Sequence, residues 1–181
     1  MLVITMKKDT IARFWILIVL MMPVSLFAEQ FCQPENILST APGSRYDIRE
    51  NGTVEDKNTG LVWLRCVQGK SGENCQTGSA IELTWAAALQ YIAKVNEKGV
   101  AGYSDWRMPN IRELSTLVEL QCVEPAISLD AFPFSPASHV WSSSPYHFYT
   151  HYSWYVDFTN GAATYDERIV NKQLRLVRDA N

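Results

Sequence analysis

Ser142, Ser143 and Ser144 follow His139 closely, and His147 and His151 stand four residues apart just beyond them. A serine beside a histidine suggests acyl transfer, but a nucleophilic serine needs a sharp strand-to-helix elbow, and no such turn surrounds this run. Two histidines four apart hold a metal when they sit on a helix. Pro145 and the density of rings around His147 and His151 argue against a helix there, so no metal site is expected. The four cysteines, Cys32, Cys66, Cys75 and Cys122, include no short Cys-x-x-Cys spacing of the kind zinc requires. Acidic and Asn residues between Glu50 and Gly60 are explained by turn chemistry and do not follow the spacing of a calcium loop. Catalysis needs a nucleophile with its base, a carboxylate pair or a metal constellation. With none at diagnostic spacing, the expectation is a non-catalytic domain without a cofactor.

What the same stretch does offer is rings. Tyr146, Phe148, Tyr149 and Tyr152 interleave with His147 and His151 in a segment punctuated by Pro125, Pro133, Pro136 and Pro145. From Val123 to Tyr152 the chain reads mostly as shaped loop. Aromatic rings on a loop present large apolar area at low entropic cost, which suits a sugar face or a protein partner. Tyr146, His147, Tyr149, His151 and Tyr152 are therefore the candidate ligand-binding residues. Trp141 and Trp154 are expected in the core.

The elements that must hold this loop begin with Gly102 to Leu120, GYSDWRMPNIRELSTLVEL. Pro109 keeps Met108 out of helical space. Asn110 can then cap a helix while Glu113 reaches back to the cap's own N–H, a capping box. Ile111, Leu114, Leu117 and Val118 form its apolar stripe. Arg107 leaves the chain at the corner before this helix, placed to stack on a ring or fork onto a carboxylate as a structural latch. A second helix runs from Trp85 to about Lys98, capped by Thr84 and closed by Gly99, with Trp85, Ala88, Leu89, Ile92 and Val95 on one stripe. Short strands are expected over Tyr46 to Arg49, Thr53 to Asp56 and Leu61 to Arg65. Trp154 to Phe158 and Ala162 to Tyr165 form a hairpin about Asn160-Gly161, and Gln173 to Val177 returns beside the first strands. Two helices packed on short, mainly antiparallel strands make an α+β domain.

GYSDWRMPNIREL, with TGLVWLRC upstream and VWSSSPY, WYVDF and LRLVRD downstream, resembles the C-terminal domain of the Legionella collagen-like adhesin family. Met108 stands where the family usually has leucine. Trp63, Trp106, Arg107, Pro109, Asn110, Glu113, Trp141 and Trp154 are the residues that carry the motifs. The resemblance spans about Tyr46 to Asp179. It implies a C-type-lectin-like fold, loosely shared with the formylglycine-generating enzymes, in an exported protein. The cysteine pair those enzymes use is not matched here.

Residues 1–28 read as a signal peptide: Lys7, Lys8 and Arg13 precede an apolar run from Phe14 to Leu26, with Ala28 at the cleavage point. A retained N-terminal anchor is the alternative. Residues 29–45 then form an N-terminal arm and 46–181 the lectin-like domain. Without residues 1–28 the chain has 13 basic and 18 acidic residues, a net charge of −5. That balance disfavours nucleic acid, and it disfavours carrying over the sulfated glycans that the Legionella domain binds. An even number of cysteines in an exported chain points to two disulfides. Of the three possible pairings, locality favours Cys66–Cys75 around a Gly-rich loop, leaving Cys32–Cys122. The reading is an exported adhesin-like or lectin-like module, periplasmic, secreted or at the cell surface, whose partner is a glycan or surface protein. It has no membrane attachment once the signal is removed. An exported enzyme of the formylglycine-generating fold group and a structural subunit of a pilus or envelope assembly are the alternatives. The chain contains no Gly-x-y stalk, so trimerisation is not assumed and the oligomeric state stays open.

Overall fold

The computed structural model describes residues 29–180. The expected signal peptide lies outside these residues. In chain order the first strands are β1 (Phe31–Cys32), β2 (Tyr46–Ile48), β3 (Thr53–Asp56), β4 (Leu61–Leu64), β5 (Lys70–Ser71), β6 (Thr77–Gly78) and β7 (Glu82–Leu83). Helices α1 (Trp85–Lys98) and α2 (Ile111–Ser115) follow. The chain closes with β8 (Cys122–Val123), β9 (His139–Pro145), β10 (Tyr152–Asp157), β11 (Ala162–Glu167), β12 (Lys172–Gln173) and β13 (Val177–Asp179). One sheet has the order β13-β4-β3-β2 and a second the order β11-β10-β9-β12-β7. Pairing is antiparallel except between β12 and β9. The fold is α+β, as the sequence indicates.

Strand β4 divides the core. Its side chains alternate with a period of two, so Leu61 and Trp63 join Val54, Leu114, Leu117, Phe132, Val156 and Phe158 on one side. Val62 and Leu64 join Ala88, Ile92, Val95, Trp106, Trp141, Leu174 and Leu176 on the other. All four β4 residues are buried, which explains the unbroken apolar run Leu61-Val62-Trp63-Leu64 in the sequence. Closing strand β13 pairs with β4, Val177 opposite Trp63.

The helices begin where their caps place them. Thr84 Oγ1 accepts from Ala87 N at 3.3 Å, and Gly99 ends α1 at φ 65°. Ala88, Ile92 and Val95 bury the α1 stripe. Leu89 does not join them: one residue round from Ala88, it falls beyond the face that α1 buries and is 41% exposed. The capping box of α2 is present, with Glu113 N donating to Asn110 Oδ1 (3.0 Å) and Asn110 N donating to Glu113 Oε2 (2.8 Å). That helix is shorter than its apolar spacing suggests. Ser115 Oγ and Thr116 Oγ1 donate to the carbonyls of Ile111 and Glu113, tightening the last turn, and Leu117 and Val118 are buried beyond the helix end.

The proline-rich stretch is less loop-like than expected. Residues 139–145 form β9, the middle of the five-stranded sheet, with Val140 and Trp141 buried and β10 and β12 on either side. The prolines flank this strand, Pro133 and Pro136 before it and Pro145 at its end, where the missing N–H costs the ladder least.

Both disulfides are formed. Cys32 and Cys122 lie opposite each other in the β1–β8 pair, and Cys66–Cys75 closes the loop that carries β5, whose partner β6 follows just beyond Cys75. The N-terminal arm is held further by Glu119. This buried carboxylate accepts from the N–H groups of Thr40 (3.0 Å) and Ala41 (2.9 Å) and from Ser39 Oγ.

Candidate functional site

Where β9 ends at Pro145 the chain leaves the sheet, turns through Tyr146 to His151, and re-enters as β10. Tyr146 N donates to Tyr152 O at 3.1 Å and Tyr152 N to Tyr149 O at 3.0 Å, which closes the loop on its own backbone. Arg168 N donates to His151 O at 2.9 Å and ties the loop to the turn after β11. Gly161, at φ 82°, makes the β10–β11 turn. A Cβ there would meet Val118 Cγ1 at 2.6 Å, so glycine also lets the hairpin seat on the core.

Alternation along the hairpin then sorts the rings. Tyr152 and Trp154 fall on one face of β10, and the register sets Glu167 and Tyr165 of β11 opposite them. Tyr146 packs over this face with its ring stacked on Tyr165, centroids 3.7 Å apart and planes at 18°. Around it stand Trp154 at 5.5 Å, Phe148 at 5.7 Å, Tyr149 at 6.1 Å and Tyr152 at 6.5 Å. Offset and edge contacts of this kind fix one another's orientation. The outer rings remain open to solvent: Phe148 is 74%, Tyr149 54% and Tyr165 42% exposed. The Tyr152 hydroxyl lies 3.1 Å from Glu167 Oε1, a hydrogen bond that raises its pKa.

All five candidate residues therefore lie in or beside one loop, and the three tyrosines share one cluster. His147 and His151 are exposed at its border, His147 against Phe148 (5.1 Å) and His151 against Tyr152 (4.7 Å). Among the described residues no group of three or more metal-ligating side chains comes together. Trp154, expected in the core, is only half-buried and forms the floor of the cluster, because its alternation position follows Tyr152 and not Tyr155. Tyr165 was not among the candidates although it is central. The Asn160-Gly161 turn marks the hairpin but not its register: a two-residue turn there would set Glu167 opposite Trp154, whereas the four-residue connection 158–161 sets Tyr165 there.

The residues that suggested chemistry are used for packing. Ser142 Oγ donates to Trp154 O at 2.8 Å, Ser144 Oγ accepts from Ile111 N at 3.0 Å, and Ser143 N donates to Pro109 O at 2.8 Å. The serine run thus docks the start of α2 against β9. Arg107 forks onto Glu113 at 2.8 and 2.9 Å and reaches Asp179 at 2.9 Å, while neighbouring Asp105 pairs with Arg178. On the opposite face of the sheet, Lys172 is buried over Tyr155 (4.0 Å) and Trp141 (5.0 Å) with Asp166 at 2.7 Å. His139 lies 3.5 Å from Asp157 and 4.9 Å from the Tyr155 ring.

The structure is thus an α+β domain presenting exposed, mutually packed rings on a braced hairpin. The sequence matches the family described as the Lcl C-terminal domain over residues 52–178, well over half of the chain, and the protein belongs to that family. It is an adhesin-like domain. No curated protein matches it.

Proposed function

We propose that this protein is an exported, non-catalytic binding module that recognises a glycan or a surface protein through the aromatic cluster of Tyr146, Tyr149, Tyr152, Trp154 and Tyr165, with Phe148 at its rim. The observation that carries this reading is the set of exposed rings held in fixed orientation by a hairpin seated on the core. Stacking on such rings suits the apolar face of a neutral sugar or an extended protein segment. Glu167, bonded to the Tyr152 hydroxyl at the cluster, together with the net charge, weighs against sulfated ligands. Two disulfides fit an oxidising compartment, and no helix among the described residues is long and apolar enough to cross a membrane. Both fit export.

The test is a glycan-array screen, with purified surface proteins as a second panel, comparing the oxidised protein with a Phe148→Ala/Tyr149→Ala double variant. Both rings are exposed, so the variant is expected to keep its melting temperature while saturable binding falls at least tenfold. Equal binding by the variant and the parent would overturn the assignment of the site.

A further inference from the structure

Strand β11 is the outer edge of the five-stranded sheet, and its free backbone groups can be identified. Tyr152 donates its N–H to Tyr149 and accepts on its carbonyl from Tyr146, so both groups face away from β11. Tyr152 and Glu167 are therefore a non-hydrogen-bonded pair. Alternation makes Trp154–Tyr165 and Val156–Ala163 the same. Glu167, Tyr165 and Ala163 thus aim their N–H and C=O groups outward, away from the sheet. Glu167 is satisfied locally: its N–H donates to Asp166 Oδ1 at 2.8 Å and its carbonyl accepts from Val170 N at 3.0 Å. Ala163 and Tyr165 lie on an edge that no strand of the described residues covers. Of the devices that blunt an open edge, β11 (AATYDE) has no proline, no lysine and no bulge against β10, and its two carboxylates, Asp166 and Glu167, stand together at its C-terminal end, beyond Ala163 and Tyr165.

We propose that a second copy of this chain occupies this edge, adding its own β11 antiparallel about a two-fold axis through Thr164. In that register Ala163 of each copy faces Tyr165 of the other, and the two pairs exchange four backbone hydrogen bonds through the groups left free. Thr164 meets Thr164, a favourable cross-strand pair. Asp166 faces Ala162 and Glu167 faces Gly161, so no carboxylate opposes a carboxylate. The side chains fit as well. Ala163 borders a depression of about 460 Å³ whose wall includes Ser115, Val118 and Leu120. Leu120 is 58% exposed there. The second copy's Tyr165 projects from the same sheet face opposite Ala163, which brings its ring to the mouth of that depression. The contact is isologous and closes on itself as a dimer. It also sets both aromatic clusters on one face of a continuous sheet, so a multivalent ligand can engage both at once. The inference does not depend on which ligand the cluster takes.

Sedimentation equilibrium of the protein, produced from its full sequence and purified oxidised, tests it across micromolar to near-millimolar concentrations. Ala163→Pro removes an outward-facing N–H and leaves the β10–β11 ladder intact. Leu120→Asp puts a charge at the depression at a position that belongs to no strand. Both variants are expected to raise the dimer dissociation constant at least tenfold with circular dichroism unchanged. The amides of Ala163 and Tyr165 should also gain hydrogen-exchange protection as the parent protein is concentrated. If Ala163→Pro does not fold, Leu120→Asp and the exchange data decide. A parent that stays monomeric throughout, or a dimer that Leu120→Asp leaves intact, overturns the proposal.

Discussion

Asp56 shows how one side chain couples this fold to pH. Its carboxylate is fully buried, and burial alone would disfavour its charge. Arg45, the Thr59 hydroxyl and the Asn58 N–H together hold its pKa below the ordinary carboxylate value of 3.8. A carboxylate with a depressed folded pKa stabilises the fold above its unfolded pKa, and that contribution disappears as pH falls through the folded value. Glu119, also buried and bonded by Ser39 and the backbone of Gln121, Thr40 and Ala41, is shifted the same way. Thermal melts should therefore be level near neutrality and fall steeply below about pH 4. Asp56→Asn should lower stability at pH 7 by about 3–5 kcal/mol, since it leaves Arg45 buried without its partner, and it should flatten the acid slope. Urea titrations at pH 7 and pH 3 check both effects. Arg175 is a different case. It is buried over the Phe132 ring and bonded to Ser135, with no carboxylate beside it among the described residues, and burial pushes its pKa down to about 10.

Asn110 and Glu113 set where α2 starts, and through α2 they set the docking of the serine run on β9. Asn110→Ala should cost about 1 kcal/mol as the cap is lost. Glu113→Ala should cost more, because Glu113 both closes the capping box and receives the Arg107 fork; chemical denaturation of the two variants ranks them. Local signals of this kind are why much of the chain was readable beforehand. Caps, the Asn-Gly turn and period-two runs each bind a few neighbouring residues, and they place α1, the start of α2, the strands β2 to β4 and the β10–β11 hairpin. Features settled by distant partners were not readable in the same way. Nothing near His139 announces that Val140 will lie between β10 and β12, so β9 read as loop. Leu89 looked buried because the helical stripe does not say how wide a face its neighbours will cover. Trp154 and Tyr165 meet the loop rings only through their register across the hairpin.

The two crosslinks differ most in how much chain they close. Cys32–Cys122 spans a sequence separation of 90 and Cys66–Cys75 one of 9. In the loop-entropy account, losing the first should cost about 4.5 kcal/mol and losing the second about 2.5 kcal/mol. Paired Cys→Ser variants followed by denaturant unfolding should show that order. The larger crosslink also fixes how the domain carries mechanical load. A pull applied at the N-terminal end enters at Cys32 and passes through a covalent bond to Cys122, and from there toward the hairpin that bears the rings. Residues 33–121, which include β2 to β4 and both helices, sit inside the closed loop and cannot be drawn out while the bond holds. Under tension between its N-terminal end and the aromatic face, residues 33–121 add nothing to the extension. A reducing environment would release the full length of slack.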